Sequence, residues 1–294
     1  MTVDLLVIGG SGFVGGRVLR AAQAQGLTSA YTYATHRREW AMPGYAVNLE
    51  DENSALEDCL RQTRPAAVIY CAVPAVGAPE SLHHQVSVRG VERAVRALSP
   101  GARLVYVSSI AVFNSWNGPY RESAPYEERT DRHRAYGLMR ARGEQAALNN
   151  WPNTVVVRTS HVEGRDADGN LHWRLAEVVD RLKAGQILPR FTDRSISPTW
   201  VQTLAEGLLE AAYPGFSYRG TIHIAGSRSL TDYTYTRLLA CQVGASEEQV
   251  RPDRMFPENG PAAYSLVLDV TFSQTLLKTP LRGIDECLPE VLAA

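Results

Sequence analysis

The first 160 residues alternate short apolar runs with stretches of helical spacing. "DLLVIG" (residues 4–9) is almost continuously apolar, as a strand covered on both faces must be. "GGRVLRAAQAQG" (15–26) places its apolar positions three and four apart and closes on Gly26, a common helix stop. "AYTYATH" (30–36) reads as a second strand. "SALEDCLRQTRP" (54–65) reads as a helix halted before Pro65, and "AAVIYCAV" (66–73) as the next strand. "SVRGVERAVRALSPG" (87–101) is again helical and "RLVYVSS" (103–109) a strand. "HRAYGLMRARGEQAALN" (133–149) is a long helix, followed by the strand "NTVVVRTS" (153–160). Strands separated by helices predict right-handed crossovers and an α/β fold with a Rossmann-type, doubly wound parallel sheet.

The pattern changes after Ser160. "HVEGRDADGN", "LPRFTDRSISPTW" and "MFPENGPAAYS" read as mixed, loop-rich segments. "TWVQTLAEGLLEAA" (199–212) and "GTIHIAG" (220–226) read as one more helix and strand returning to the main sheet. The expected organisation is a dinucleotide-binding domain over 1–160 plus about 198–225. A small discontinuous C-terminal lobe for substrate is expected over about 161–197 plus 226–294. No repeat or low-complexity segment interrupts the chain.

"VIGGSGFVGGRV" gives the first strand–helix junction its chemistry. Gly9, Gly12 and Gly15 form a spaced triplet, with Gly10, Ser11, Phe13 and Val14 between them. Gly9 suits the tight turn, Gly12 lets phosphate approach the backbone, and Gly15 lets helix and strand pack closely. The helix N-terminus beyond offers free N–H groups and a favourable dipole to a pyrophosphate. A site for NAD(H) usually places an acidic residue at the end of the second strand. Here "THRRE" puts His36, Arg37 and Arg38 there. Two guanidiniums suit a 2′-phosphate, which favours NADP(H) over NAD(H). The alternative is that both arginines are solvated surface charges.

"LVYVSSIAVF" ends a buried strand at Ser108–Ser109, on the carboxyl edge where doubly wound sheets carry their sites. Tyr136 follows 27 residues later, with Arg140 one helical turn on, on the same helix face. Alone, such a pair is most often a plain helix surface. Beside a nicotinamide, a serine hydroxyl and a tyrosine phenol make a carbonyl-reducing site: Tyr136 moves the proton and Ser109 binds the substrate oxygen.

At these residues the chain resembles an extended short-chain dehydrogenase/reductase of the dTDP-4-dehydrorhamnose reductase-like branch. The resemblance runs through "GGSGFVG", "HRRE", "NLEDENSALEDCLRQTRPAAVIYCAV", "GARLVYVSSIAVFN", "PYRESAP", "YGLMRARGEQ", "VVVRTSHVEG", "SPTWVQTLAEGLLEA", "GTIHIAG" and "YSLVLD", nearly the whole chain. It implies catalytic roles for Ser109 and Tyr136. It also implies adenine-side positions at Asn48 and Leu49 and a loop over the cofactor at Cys71, Ala72 and Val73. A homodimer through the Tyr136 helix is a further option it raises.

The departures cluster on the substrate side. The family motif Tyr-x-x-x-Lys has Arg140 for its lysine. Arg140 keeps the charge that depresses a phenol and can bind the nicotinamide ribose, but it does not release a proton. Ile110 replaces the acid that dehydratases carry after the catalytic hydroxyl, and Ile110–Ala111 replaces the Asp-Tyr of many reductases. Ser87 stands where the preceding helix usually has Asn. "RTSHVEG" replaces "RTSWVYG", making His161 and Glu163 candidates for substrate contact, although a lone histidine near a loop is more often structural.

These features leave three readings. The first is an NADP(H)-dependent ketoreductase with a small-molecule or sugar-nucleotide-like substrate. The second is a cofactor-binding regulatory subunit or sensor that has lost catalysis. The third is an epimerase retaining its nicotinamide. Composition agrees with a soluble protein: 45% apolar and 21% charged residues, 30 basic against 31 acidic, net charge −1. That balance argues against nucleic acid or a membrane surface as the main partner. Apolar runs are strand-sized, too short to span a bilayer. "MTVDLLVIGG" lacks the basic start of a secretory signal. Four scattered cysteines without a C-x-x-C pair, and no clustered metal ligands, fit free thiols in a reducing cytoplasm.

Overall fold

The computed structural model describes residues 2–75, 77–127, 133–256 and 264–293. Its first half contains β1 (Leu5–Ile8), α1 (Phe13–Ala24), β2 (Ser29–Tyr33), β3 (Gly44–Ala46), α2 (Ala55–Thr63) and β4 (Ala67–Tyr70). A continuous helical stretch follows: α3 (Glu80–His84), a π-type turn over Gln85–Arg89, and α4 (Gly90–Ala97). Next come β5 (Arg103–Ser109), α5 (Arg134–Asn150) and β6 (Thr154–Thr159).

The second half contributes β7 (Val162–Glu163), α6 (Trp173–Lys183), β8 (Leu188–Phe191), β9 (Arg194–Ile196) and β10 (Thr199–Trp200). Then α7 (Val201–Ala212) and β11 (Gly220–His223) return to the main sheet. The chain ends through β12 (Leu230–Thr231), α8 (Asp232–Gln242), β13 (Val250–Asp253), β14 (Tyr264–Leu266), α9 (Thr271–Leu276) and α10 (Ile284–Leu292).

The central sheet has seven parallel strands in the order β11-β6-β5-β4-β1-β2-β3. Strand order reverses beside β1, so the carboxyl edge opens a crevice between β1 and β4. The uniform apolarity of β1 follows from its burial on both sides. Leu5 and Val7 face one layer with Val18 and Leu19 of α1 and Leu204 and Leu208 of α7. Leu6 and Ile8 face the other, with Leu56 and Leu60 of α2, Val91 of α4 and Met139 of α5. The first layer runs without a break into Leu175, Leu188, Leu239 and Leu266 of the second half.

Several expectations need correction. The second strand stops at Tyr33, so Arg37 and Arg38 lie in the loop beyond it. The helix expected to start at Ser87 begins at Glu80, and Ser87 lies within the π-type turn. β3 is a three-residue edge strand containing glycine, too short to show a period. "HVEGRDADGN" and "LPRFTDRSISPTW" hold β7 to β10, strands of two to four residues set by partners distant in sequence. The loop reading of "MFPENGPAAYS" falls mostly on 257–263, outside the described residues. Among the described residues no helix is long and apolar enough to cross a membrane.

One buried ion pair ties α5 to β6. Glu144, fully buried, accepts from Arg158 at 2.8–3.1 Å, from the Tyr126 hydroxyl at 3.0 Å and from the Ser108 hydroxyl. Arg158 also lies over the Phe113 ring at 5.0 Å. Glu144→Ala would strand that guanidinium without its counter-charge. The expected loss of unfolding free energy is about 3–5 kcal/mol, to be read from urea titrations.

Candidate active site

The loop between β1 and α1 is shaped by close approach. Gly9 has φ +80°, and a Cβ there would lie 2.8 Å from the Ala72 backbone. A Cβ on Gly15 would lie 2.5 Å from the Gly9 carbonyl oxygen. Gly12 caps α1 without a side-chain hydrogen bond, leaving the first N–H groups of the helix free of one. A Cβ on Gly12 would meet only the Gly9 oxygen, at 3.3 Å, and otherwise enter open space. That hollow fits a pyrophosphate resting on a helix N-terminus. Ser11, Phe13 and Val14 complete the turn, and Val14 packs onto the core.

The loops expected on the adenosine side are anchored. Tyr31 of β2 holds the backbone of Arg38, donating to its carbonyl at 2.8 Å and accepting from its N–H at 3.1 Å. The Arg38 guanidinium then reaches the Ser11 carbonyl at 3.2–3.3 Å and pairs with Asp168. Of the predicted arginine pair, Arg38 alone turns to the glycine loop; His36 and Arg37 are exposed and make no hydrogen bond to a described residue. Asn48 caps its own turn by accepting from the Glu50 N–H at 3.2 Å, and Leu49 is buried. Arg93 of α4 fixes this loop through the Asp51 carbonyl and a two-pronged pair with Glu57 at 2.8 Å.

Ser109 ends β5 at the carboxyl edge of the sheet. Its Oγ accepts from the Ala111 N–H at 3.2 Å, so its O–H remains available to donate. Tyr136 lies in the first turn of α5, half-buried, its hydroxyl without a hydrogen bond to any described residue. Arg140, one turn on from Tyr136, is 2% exposed. It donates to the Tyr106 hydroxyl and the Val107 carbonyl at 3.1 Å and to the Ala72 carbonyl at 2.9 Å. Its guanidinium carbon lies 5.6 Å from the centre of the Tyr136 ring. Burial acts to lower the Arg140 pKa, but the Tyr106 and Tyr136 phenols outweigh it, and the group stays charged. Arg140 therefore joins α5, the end of β5 and the loop after β4.

That loop carries Cys71, Ala72 and Val73. Ala72 touches the glycine turn and Val73 is exposed. Burial pushes the Cys71 thiol up to about 12, with Arg140 opposing, so it is no nucleophile. His83 on α3 escaped the sequence reading. It is 1% exposed, meets the Tyr136 ring edge-on at 5.7 Å, and its Nδ1 has no partner among the described residues. Burial, then Arg140, lowers its pKa and keeps the imidazole neutral. The π-type turn directly after it marks the position in the fold, since such turns recur at functional sites. His161, a candidate for substrate contact, has its Nε2 3.2 Å from Arg194, which pairs with Asp232 at 2.7 Å.

A nucleotide cradle beside two hydroxyl donors and a fixed cation is the arrangement of dinucleotide-dependent oxidoreductases. Comparison with known proteins narrows the class. The model of the RmlD substrate binding domain family matches residues 3–294. The chain is 32% identical over 238 residues to dTDP-4-dehydrorhamnose reductase of Mycobacterium tuberculosis, covering 77% of this chain and 76% of that one. It is 29% identical over 257 residues to a probable dTDP-4,6-dihydroxy-2-methyloxan-3-one 4-ketoreductase of Streptomyces antibioticus, covering 82% and 83%. Its fold matches dTDP-4-dehydrorhamnose reductase of Bacillus anthracis, solved with NADP, at a TM-score of 0.78 and 18% identity, over 99% and 98% of the chains. The chain belongs to the RmlD family, within the extended short-chain dehydrogenases/reductases, and is an oxidoreductase.

Glu163, a candidate for substrate contact, lies in the interior of the second half. It is buried, with Oε2 unpartnered, and lies within electrostatic range of the buried, unpartnered hydroxyl of Tyr235. Burial pushes its carboxyl from 4.5 up to about 7, with Arg174 opposing. The folded protein therefore holds a proton that the unfolded chain has released between those values. The stability this confers is complete below 4.5 and is lost as pH rises through 7. The expected loss is about 3 kcal/mol. Glu163→Gln should match the native protein near pH 4.5 and exceed it by about 2–3 kcal/mol at pH 8. Urea melts across that window test this, and a difference independent of pH refutes it.

Proposed function

We propose that the protein is an NADP(H)-dependent ketoreductase acting on a sugar-nucleotide-like or other small carbonyl substrate. The observation that carries this reading is the Arg140 bridge, which sets the Tyr136 helix against the end of the Ser109 strand and the loop beneath the glycine turn. Gly9 to Gly15 would hold the pyrophosphate, Arg38 the 2′-phosphate, Asn48 and Leu49 the adenine side, and Cys71 to Val73 the cover. NADPH, when bound, supplies the hydride.

Ser109 donates its free O–H to the substrate oxygen and fixes the carbonyl. Tyr136 gives its phenolic proton to the same oxygen, so that carbonyl, hydride and proton together make the alcohol. Arg140 stabilises the resulting phenolate through its charge. It takes no part in proton relay, since its guanidinium stays protonated. The neutral His83 ring keeps Tyr136 in place. The relatives' substrates are dTDP-linked ketosugars by name, and this supports a nucleotide-linked ketone as the first class to assay.

A second reading, a cofactor-binding subunit without turnover, draws on the same residue. Three Arg140 hydrogen bonds go to this chain's own atoms. Two substitutions separate the readings. With NADPH and a panel of ketones including 4-keto sugar nucleotides, Tyr136→Phe should lower kcat by about 100-fold or more, with circular dichroism unchanged. Arg140→Lys should lower kcat by about tenfold, because one ammonium cannot hold the Ala72 and Val107 carbonyls as a planar fork does. A gain of turnover in Arg140→Lys would favour the retired site.

A further inference from the structure

We propose that Asp168 is a cofactor-specificity residue, supplied from outside the dinucleotide-binding half, which competes with a 2′-phosphate for Arg38. This rests on the reading of Arg38 given above. Acidic residues that choose between cofactors are expected at the end of the second strand, and here that position is basic. The acid arrives instead on a hairpin between β7 and α6.

The hairpin is a built object. Arg165 and Leu171 pair across it, and the Asp166 N–H donates to the Asn170 carbonyl at 2.8 Å. The Asp166 carboxylate accepts from the backbone N–H groups of Asp168 and Asn170, both at 2.9 Å. Gly169, at φ +89°, closes the tip. The unit is seated on the first turns of α1. Phe13 meets His172 at 4.8 Å, and Arg20 donates to the Ala167 carbonyl at 3.3 Å. A Cβ on Gly16 would lie 3.0 Å from that of Ala167. The tip places the Asp168 carboxylate on the Arg38 guanidinium, whose other bonds go to the Ser11 carbonyl. Asp166 also acts on Arg38 through its charge.

The charges determine the consequence. A 2′-phosphate gripped by Arg38 must displace Asp168 or lie beside its negative charge, and either weakens binding. A 2′-hydroxyl carries no such penalty and can donate to the same carboxylate. Asp168 thus reduces the advantage of NADP(H) over NAD(H) that Arg38 creates. The pair is partly exposed, so it contributes little to holding the fold. Asp168→Asn leaves the hairpin's backbone bonds in place.

The test uses the adenosine halves of the cofactors, 2′,5′-ADP and 5′-ADP, titrated calorimetrically into the full chain. Turnover does not enter. Asp168→Asn should tighten 2′,5′-ADP by about five- to tenfold and leave 5′-ADP unchanged or slightly weaker. Arg38→Ala should weaken 2′,5′-ADP, and Asp168→Asn should add nothing in that background. An unchanged ratio, equal tightening of both ligands, or the same gain without Arg38 overturns the proposal while the cofactor reading stands. If the unaltered protein binds neither nucleotide, the cofactor reading falls and takes the proposal with it.

Discussion

The site depends on one buried charge. Arg140 is almost wholly removed from water, and an arginine so placed must draw its hydrogen-bond partners from the protein; its two terminal nitrogens do so, while Nε has none among the described residues. Its acceptors are the Tyr106 hydroxyl, the Val107 carbonyl and the Ala72 carbonyl. Each belongs to an element of the site. Val107 lies two residues before Ser109, and Ala72 packs under Gly9, where a side chain would clash. The guanidinium thus joins the Tyr136 helix, the Ser109 strand and the glycine turn. A planar fork can satisfy several divergent acceptors together. That is a physical reason for arginine where related chains have lysine, and it removes proton release from this position.

Around that centre the two halves share one interior. The apolar layer beneath α1 and α7 continues into α6, α8 and the short strands of the second half. Polar connections cross the same boundary: Arg38 with Asp168, and Arg20 with the Ala167 carbonyl. The second half is therefore more than a cover for substrate. It packs against the first turn of the helix that would face the pyrophosphate. It also brings the acidic side chains of Asp166 and Asp168 to Arg38.

Substitutions relative to the reductase pattern fall into two physical kinds. At positions 110 and 111, isoleucine and alanine are buried in a short turn behind Ser109 and present no polar group. At 163, a glutamate occupies an interior position where its charge is disfavoured. The first kind leaves the turn after Ser109 without a polar side chain. The second places a titratable group inside the second half, near Tyr235. Arg194 pairs with Asp232 and touches His161, another position where the chain departs from that pattern.

The alternation of apolar runs and helical spacing by itself determined the parallel sheet, because strands buried on both faces must be apolar throughout. The glycine spacing, Ser109 at a strand end and Tyr136 on the following crossover helix were legible for a similar reason. Each is a local pattern with a local steric or topological cause. What the chain order could not express were contacts between distant segments. Arg38 and Arg37 are indistinguishable in sequence, and only the Tyr31 anchor and the Ser11 carbonyl separate them. His83 gains meaning from the ring of Tyr136, and the burial of Glu163 is set by its neighbours in the fold. Asp168 reaches Arg38 across 130 residues. The short strands of the second half have two to four residues and show no period. Their pairing depends on partners that only the folded chain brings within hydrogen-bonding distance.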